Sequence, residues 1–164
     1  MSKKVPTAPL PDAFEPAFVE GLRAIFEEHI VFNKVLGLKI TRLAPSGPVT
    51  GTIAMRPELI GHFGHNRLHG GVISASLDTM AGLAVMAAIG ARYLDETPEQ
   101  RLHRFGRLGT IDLRIDYLRQ AIGERFDLRA EVLRLGSRVA SARMEFAGAD
   151  GTLMAVGSAA YIVS

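Results

Sequence analysis

Apolar residues recur along this chain with two different periods, and the switches between them mark out its elements. Phe14, Phe18, Leu22, Ile25, Phe26 and Ile30 stand at helical spacing and predict a helix over residues 13–30. Asp12, three residues before Glu15, reads as a capping box, and Pro16 falls at the first turn, where a missing N–H costs little. Leu36, Leu38 and Ile40 then alternate with Gly37, Lys39 and Thr41. Val49, Gly51, Ile53 and Met55 alternate with Thr50, Thr52 and Ala54, and the Pro- and Gly-bearing stretch 44–48 between the two runs predicts a hairpin. Residues 61–66, holding Gly61, His62, Gly64, His65 and Asn66, read as a loop.

A second helix is predicted from Gly70 to Ile89. Ile73, Leu77 and Met80 fall at i, i+4 and i+7 and form one stripe for burial. Asp78 lies off that stripe among Gly71, Ser74, Ala75, Ala81 and Gly82, all small, so it is expected to face a surface open to a ligand or another backbone. Residues 90–108 are polar and Arg-rich and predict a long irregular loop. Period-two runs follow at 111–117, 126–132 and 140–146, and the apolar run 153–163 closes the chain. Four sequential strands with short turns predict an antiparallel meander. The fold class expected is α+β, a sheet wrapped around the central helix, with an open sheet edge that favours self-association.

Composition narrows the function. The 164 residues fit one domain with a sizeable core, at 48% hydrophobic. A net charge of +2 and no basic tract interleaved with aromatics argue against nucleic acid as a partner. No apolar run is expected to span a bilayer, and Met1–Lys4 lack the apolar stretch of a secretion signal, so the expected location is the cytoplasm. The absence of cysteine excludes disulfides, thiolate metal sites and a Cys nucleophile. Residues 1–11, with Pro6, Pro9 and Pro11, read as a loose arm.

The candidate chemistry lies at the start of the second helix. His69-Gly70-Gly71 opens it, and a helix start presents unpaired N–H groups that can hold a developing oxyanion. Asp78, seven residues past Gly71, shares its face and could activate water or attack directly. Those two parts are what acyl hydrolysis needs. A packing role for the glycines and a structural role for the acid are the competing readings. Ser74 and Thr79, one turn or less from Asp78, are candidates for placing water, against simple back-bonding to the helix. His62, His65 and His69 are spaced by three and four residues. That spacing matches no recognised metal motif, so no metal is expected. His29 and His103 look incidental.

In these elements the chain resembles the hotdog-fold acyl-CoA thioesterases, in particular the branch of the phenylacetate-pathway enzyme. The resemblance is carried over about residues 36–163 by Leu68-His69-Gly70-Gly71, Asp78, Ile115-Asp116-Tyr117-Leu118-Arg119, Arg134-Leu135-Gly136-Ser137-Arg138 and Asp150-Gly151. It implies a hotdog domain over 36–164 behind an arm and covering helix over 1–35. It further implies a dimer or dimer of dimers joined edge to edge, with each site between two subunits. Asp78 would be general base or nucleophile, the Gly70 and Gly71 amides would polarise the thioester carbonyl, and His69 would orient the loop. Arg119, Ser137 and Arg138 would approach the CoA. No cofactor is implied, CoA being part of the substrate. Where many relatives carry an Asn before the His-Gly-Gly, this chain has His62, with Asn66 nearby. Two other classes stay open: an enoyl-thioester hydratase or dehydratase pairing His62 or His69 with Asp78, and a non-catalytic acyl-CoA-binding protein.

Overall fold

The computed structural model describes residues 9–164, so most of the arm expected over 1–11 lies outside the described residues. Helix α1 (Pro16–Arg23) begins after Glu15, with Pro16 in its first turn, but no side chain caps it. The expected Asp12–Glu15 capping box does not form, because the Glu15 carboxylate turns to Arg101 instead, Oε1 to Nη2 2.7 Å. The chain continues as a π-helical turn (Ala24–His29), breaks at Ile30 in extended backbone, and resumes as helix α2 (Val31–Leu36). Gly37, at φ 71°, ends it in the left-handed conformation that glycine tolerates. The helical region therefore runs past the expected residue 30 and takes Leu36 out of the expected strand. Asn33 pins the break: buried, it donates from Nδ2 to the Phe26 carbonyl at 2.9 Å.

The expected hairpin follows in shortened form, β1 (Lys39–Arg42) paired antiparallel with β2 (Val49–Ala54). The segment read as a loop contains a second small hairpin, β3 (Ile60–His62) and β4 (Arg67–Leu68). It brings the chain to α3 (Gly70–Arg92). The stripe of Ile73, Leu77 and Met80 is buried as expected, but from Met80 to Ala91 almost every side chain is buried. The sheet covers one side of this stretch and the N-terminal helix the other. Gly90 allows the second contact, since a Cβ there would stand 2.4 Å from the Phe18 ring. By length and composition α3 could cross a membrane, which corrects the expectation of no such run. Two-thirds of its apolar window is buried inside the fold, where a core helix belongs.

Residues 90–108 are not an irregular loop. After α3, Thr97 and Gln100 form a reciprocal capping box that starts α4 (Pro98–His103), and a 3₁₀ turn (Arg104–Arg107) follows. Three of the arginines that suggested a loop, Arg92, Arg101 and Arg104, have specific partners. Arg101 is fully buried, reaching Glu15 and the Gly90 carbonyl with its guanidinium 4.5 Å from the Phe18 ring. Arg104 lies over Tyr93, 3.8 Å from its ring centre, and pairs with Glu96.

The strands β5 (Gly109–Tyr117), β6 (Arg125–Leu135), β7 (Val139–Gly148) and β8 (Leu153–Ile162) complete one six-stranded antiparallel sheet, in the order β1-β2-β6-β7-β8-β5. Only β6, β7 and β8 form a meander. β5 pairs with β8 rather than β6, because β6 already pairs with β2 along its other side and the connection 118–124 is too long for a tight hairpin. β5 is thus an edge, with Ile111, Leu113 and Tyr117 exposed on it. The sheet curls around α3, giving the hotdog arrangement. Phe14, Phe18, Leu22 and Phe26 of the N-terminal helical segment join the same hydrophobic cluster as α3 and the sheet.

Candidate active site

Two features of α3 are the candidates for chemistry, and the fold separates them. The first is its N-terminus. His69 takes an extended backbone and becomes the N-cap of α3, its Nδ1 accepting the Gly71 N–H at 2.8 Å. An Nδ1 that accepts carries no proton. The Val72 N–H is satisfied by the His69 carbonyl. Of the opening amides, the Gly70 N–H therefore remains for a ligand, while that of Gly71 is committed to His69. Gly61 lets the β3–β4 hairpin close on this turn, since a Cβ there would stand 2.5 Å from His69 Cα.

Gly70 opens onto a cleft of about 520 Å³, lined among others by Arg67, His69, Ile73, Tyr117 and Arg119. Tyr117 donates from its hydroxyl to the Gly70 carbonyl at 2.9 Å and ties β5 to the helix start. Arg119 donates to the Leu153 carbonyl at 2.8 Å and remains exposed. Two arginines beside an unsatisfied helix N-terminus make the cleft favourable for anions. The sequence reading missed Arg67 here, which no periodicity marks.

The second feature is Asp78, half-buried and outside the lining of that cleft. Its Oδ1 accepts from Thr110 Oγ1 at 2.9 Å and lies 2.6 Å from the Tyr161 hydroxyl. Among the described residues no Lys, Arg or His makes an ion pair or hydrogen bond with it. The small-residue face was expected to be open, but Leu108, Tyr161 and Phe26 stand within 4 Å of where a Gly82 Cβ would be. Burial, and then the hydrogen bond to Asp78, push the Tyr161 phenol far above its usual value, so it stays protonated. Neither Thr110 nor Tyr161 was singled out from the sequence. The available signal was a tyrosine on the inward-facing register of the last strand, whose other inward positions are glycine and alanine.

The other candidates fall elsewhere. Ser74 back-bonds to the Gly71 carbonyl at 3.1 Å. Thr79 donates its hydroxyl to Asn33 Oδ1 at 2.9 Å, which hangs α2 on α3 and takes that hydroxyl away from placing water. His62 stacks on His65, ring centres 4.8 Å apart, and its Nδ1 has no partner among the described residues. Asn66, exposed at φ 48°, turns the chain between β3 and β4. Neither His62 nor His69 hydrogen-bonds Asp78. The described residues contain no group of three or more side chains able to hold a metal ion. Ser137 and Arg138 are exposed in the β6–β7 turn. Arg92, at the far end of α3, binds the Leu135 and Gly136 carbonyls of that turn. In one chain they thus stand about 33 Å along the helix from Gly70, apart from Arg119.

This is a hotdog protein whose central helix opens with an unpaired amide and carries, two turns on, a carboxylate that has no cationic partner among the described residues. The chain belongs to the thioesterase superfamily, whose sequence profile matches residues 65–155. A Salmonella typhimurium protein named medium/long-chain acyl-CoA thioesterase YigI is 36% identical over 139 residues, covering 85% of this chain and 89% of its own. Its Escherichia coli K12 namesake is 35% identical over the same coverage. Among solved structures, a Shewanella oneidensis protein related to the thioesterase superfamily is 39% identical, with a TM-score of 0.82 over 92% of this chain and 100% of that one.

Proposed function

We propose that this chain hydrolyses medium- to long-chain acyl-CoA thioesters to the free acid and CoA, with no cofactor beyond the CoA of the substrate. The observation that carries the proposal is Asp78. It is a half-buried carboxylate with hydroxyl partners and, among the described residues, no cation, in the central helix of a thioesterase-superfamily chain whose relatives are named for this substrate class. Asp78 takes a proton from water as the water oxygen attacks the thioester carbonyl, or attacks that carbonyl itself to give an anhydride that water then opens. The Gly70 N–H at the helix start receives the oxyanion. Collapse expels CoA thiolate, which takes up the proton. Arg67 and Arg119 meet the CoA phosphates. The hydratase alternative needs a histidine against Asp78, and none is hydrogen-bonded there.

One helix cannot do this alone. Gly70 and Asp78 are eight residues apart, about 12 Å along α3, whereas the oxyanion donor and the attacking group must both lie within about 3 Å of one carbonyl. We therefore assign each site to two copies, Gly70 from one and Asp78 from the other. The open β5 edge beside the cleft, with Ile111, Leu113 and Tyr117 exposed, is the surface available for pairing. The test is thiol release from an acyl-CoA series by wild type and Asp78→Asn. Release lost in the variant supports the reading. Ligand binding without release by wild type points instead to an acyl-CoA-binding protein.

A further inference from the structure

We propose that Tyr161 is a positioning residue for Asp78: with Thr110 it engages Oδ1 and leaves Oδ2 free to take the proton or attack the carbonyl. The inference rests on the reading of Asp78 given above and adds the atom that acts and the group that selects it. Tyr161 comes from β8, 83 residues away in sequence, and is 2% exposed. Its hydroxyl stands 2.6 Å from Oδ1, within the range of hydrogen bonds from a neutral O–H to an ionised carboxylate. Thr110 supplies a second donor to the same oxygen at 2.9 Å. A carboxylate offers acceptor sites on both oxygens, yet among the described residues none donates to Oδ2.

The consequence is directional. Thr110, and the single Tyr161 proton that Oδ1 shares with the Asp78 backbone carbonyl, resist rotation of the carboxylate about its last torsion, so Oδ2 holds a single heading. Tyr161 is fixed in turn. The Tyr161 ring lies 3.7 Å from where a Gly82 Cβ would be, so it rests flush on a glycine of the same helix. Its hydroxyl is also 2.6 Å from the Asp78 backbone carbonyl, which keeps it centred over this turn. Because the phenol is buried beside a carboxylate, it stays protonated and serves only to hold Asp78, never as the base. A general base held in one orientation is worth more than a rotating one, since proton transfer requires hydrogen-bond reach in the reactive pose.

The experiment is a two-by-two comparison of Tyr161→Phe and Asp78→Asn, with kcat and KM read by thiol release from a medium-chain acyl-CoA. Tyr161→Phe should lower kcat about tenfold or more, the scale of one hydrogen bond to a charged group, with KM and melting temperature little changed. In the Asp78→Asn background the same hydroxyl loss should change the residual rate less than about twofold, because a residue that acts through Asp78 has nothing left to act on. Should Tyr161→Phe fail to fold, Thr110→Val removes the other donor to Oδ1 and should show the same dependence on Asp78. An equal loss in both backgrounds overturns the proposal, as does an unchanged kcat while Asp78→Asn is inactive. The latter result leaves the reading of Asp78 standing. Wild-type turnover in Asp78→Asn overturns both.

Discussion

The two halves of α3 are built on opposite terms. From Gly70 to Thr79 the helix buries one stripe, Ile73, Leu77 and Met80 just beyond it, and leaves its amide end and one carboxylate for hydroxyls and solvent. From Met80 to Ala91 it is enclosed, by the sheet on one side and by Phe14 and Phe18 on the other. The same backbone thus leaves an open amide at one end and serves as core at the other. Where Phe18 and Phe26 pack against α3, they meet glycines, Gly90 and Gly82. Nearer the helix start, polar groups such as Asp78 stay partly hydrated without a large desolvation cost. Substitutions in the first half should therefore cost turnover, and those in the second should cost stability.

The largest effect expected is from Asp78→Asn, which should lower kcat by about 10³ or more while the melting temperature moves little. Gly70→Pro is a sharper probe of the helix start. Proline suits the first helical position and already follows an extended residue there, so it removes the N–H while keeping the helix. Thiol release should fall about 10²-fold, the scale of one oxyanion donor. In the second half, Leu83→Ala should destabilise by about 2–5 kcal/mol in denaturant unfolding, with kcat per folded molecule within twofold of wild type. If Leu83→Ala instead lowered kcat as much as stability, the division between the halves would be wrong.

The smallest effect concerns the clasp that encloses the second half. The hydrogen bond from Arg101, and then its own backbone N–H, hold the Glu15 carboxyl below the usual glutamate range. A depressed carboxyl contributes stability above the ordinary value of about 4.3 and loses it as pH falls through the lower, folded value. Glu15→Gln should therefore cost about 1–2 kcal/mol at neutral pH, limited because Glu15 is half exposed and screened by water. It should also flatten part of the fall in melting temperature below about pH 4.

What could be read from the sequence follows sequence distance. His69-Gly70-Gly71 and Asp78 lie within one helix and its cap, so spacing alone placed them on one element. Their neighbours Thr110 and Tyr161 arrive from 32 and 83 residues away, through a strand order in which β5 skips β6 to pair with β8. No local pattern encodes that pairing. The misread segment 90–108 is different. Thr97 and Gln100 are a local capping signal, and it was outweighed by the arginines around it, one of which the fold buries completely against Glu15 and Phe18. The break at Ile30 and the π-helical turn before it also depend on tertiary packing, since Asn33 must reach both Phe26 and Thr79 to hold them.

The most direct test of the central claim, a site shared between two copies, is complementation. Asp78→Asn and Gly70→Pro subunits are mixed, unfolded and refolded together, and thiol release is measured against each variant refolded alone. If one copy supplies Gly70 and the other Asp78, half of the randomly formed dimers are mixed and each regains one of its two sites, so the mixture should recover about a quarter of wild-type activity. A mixture no more active than its two components would place both groups in a single chain and contradict the account.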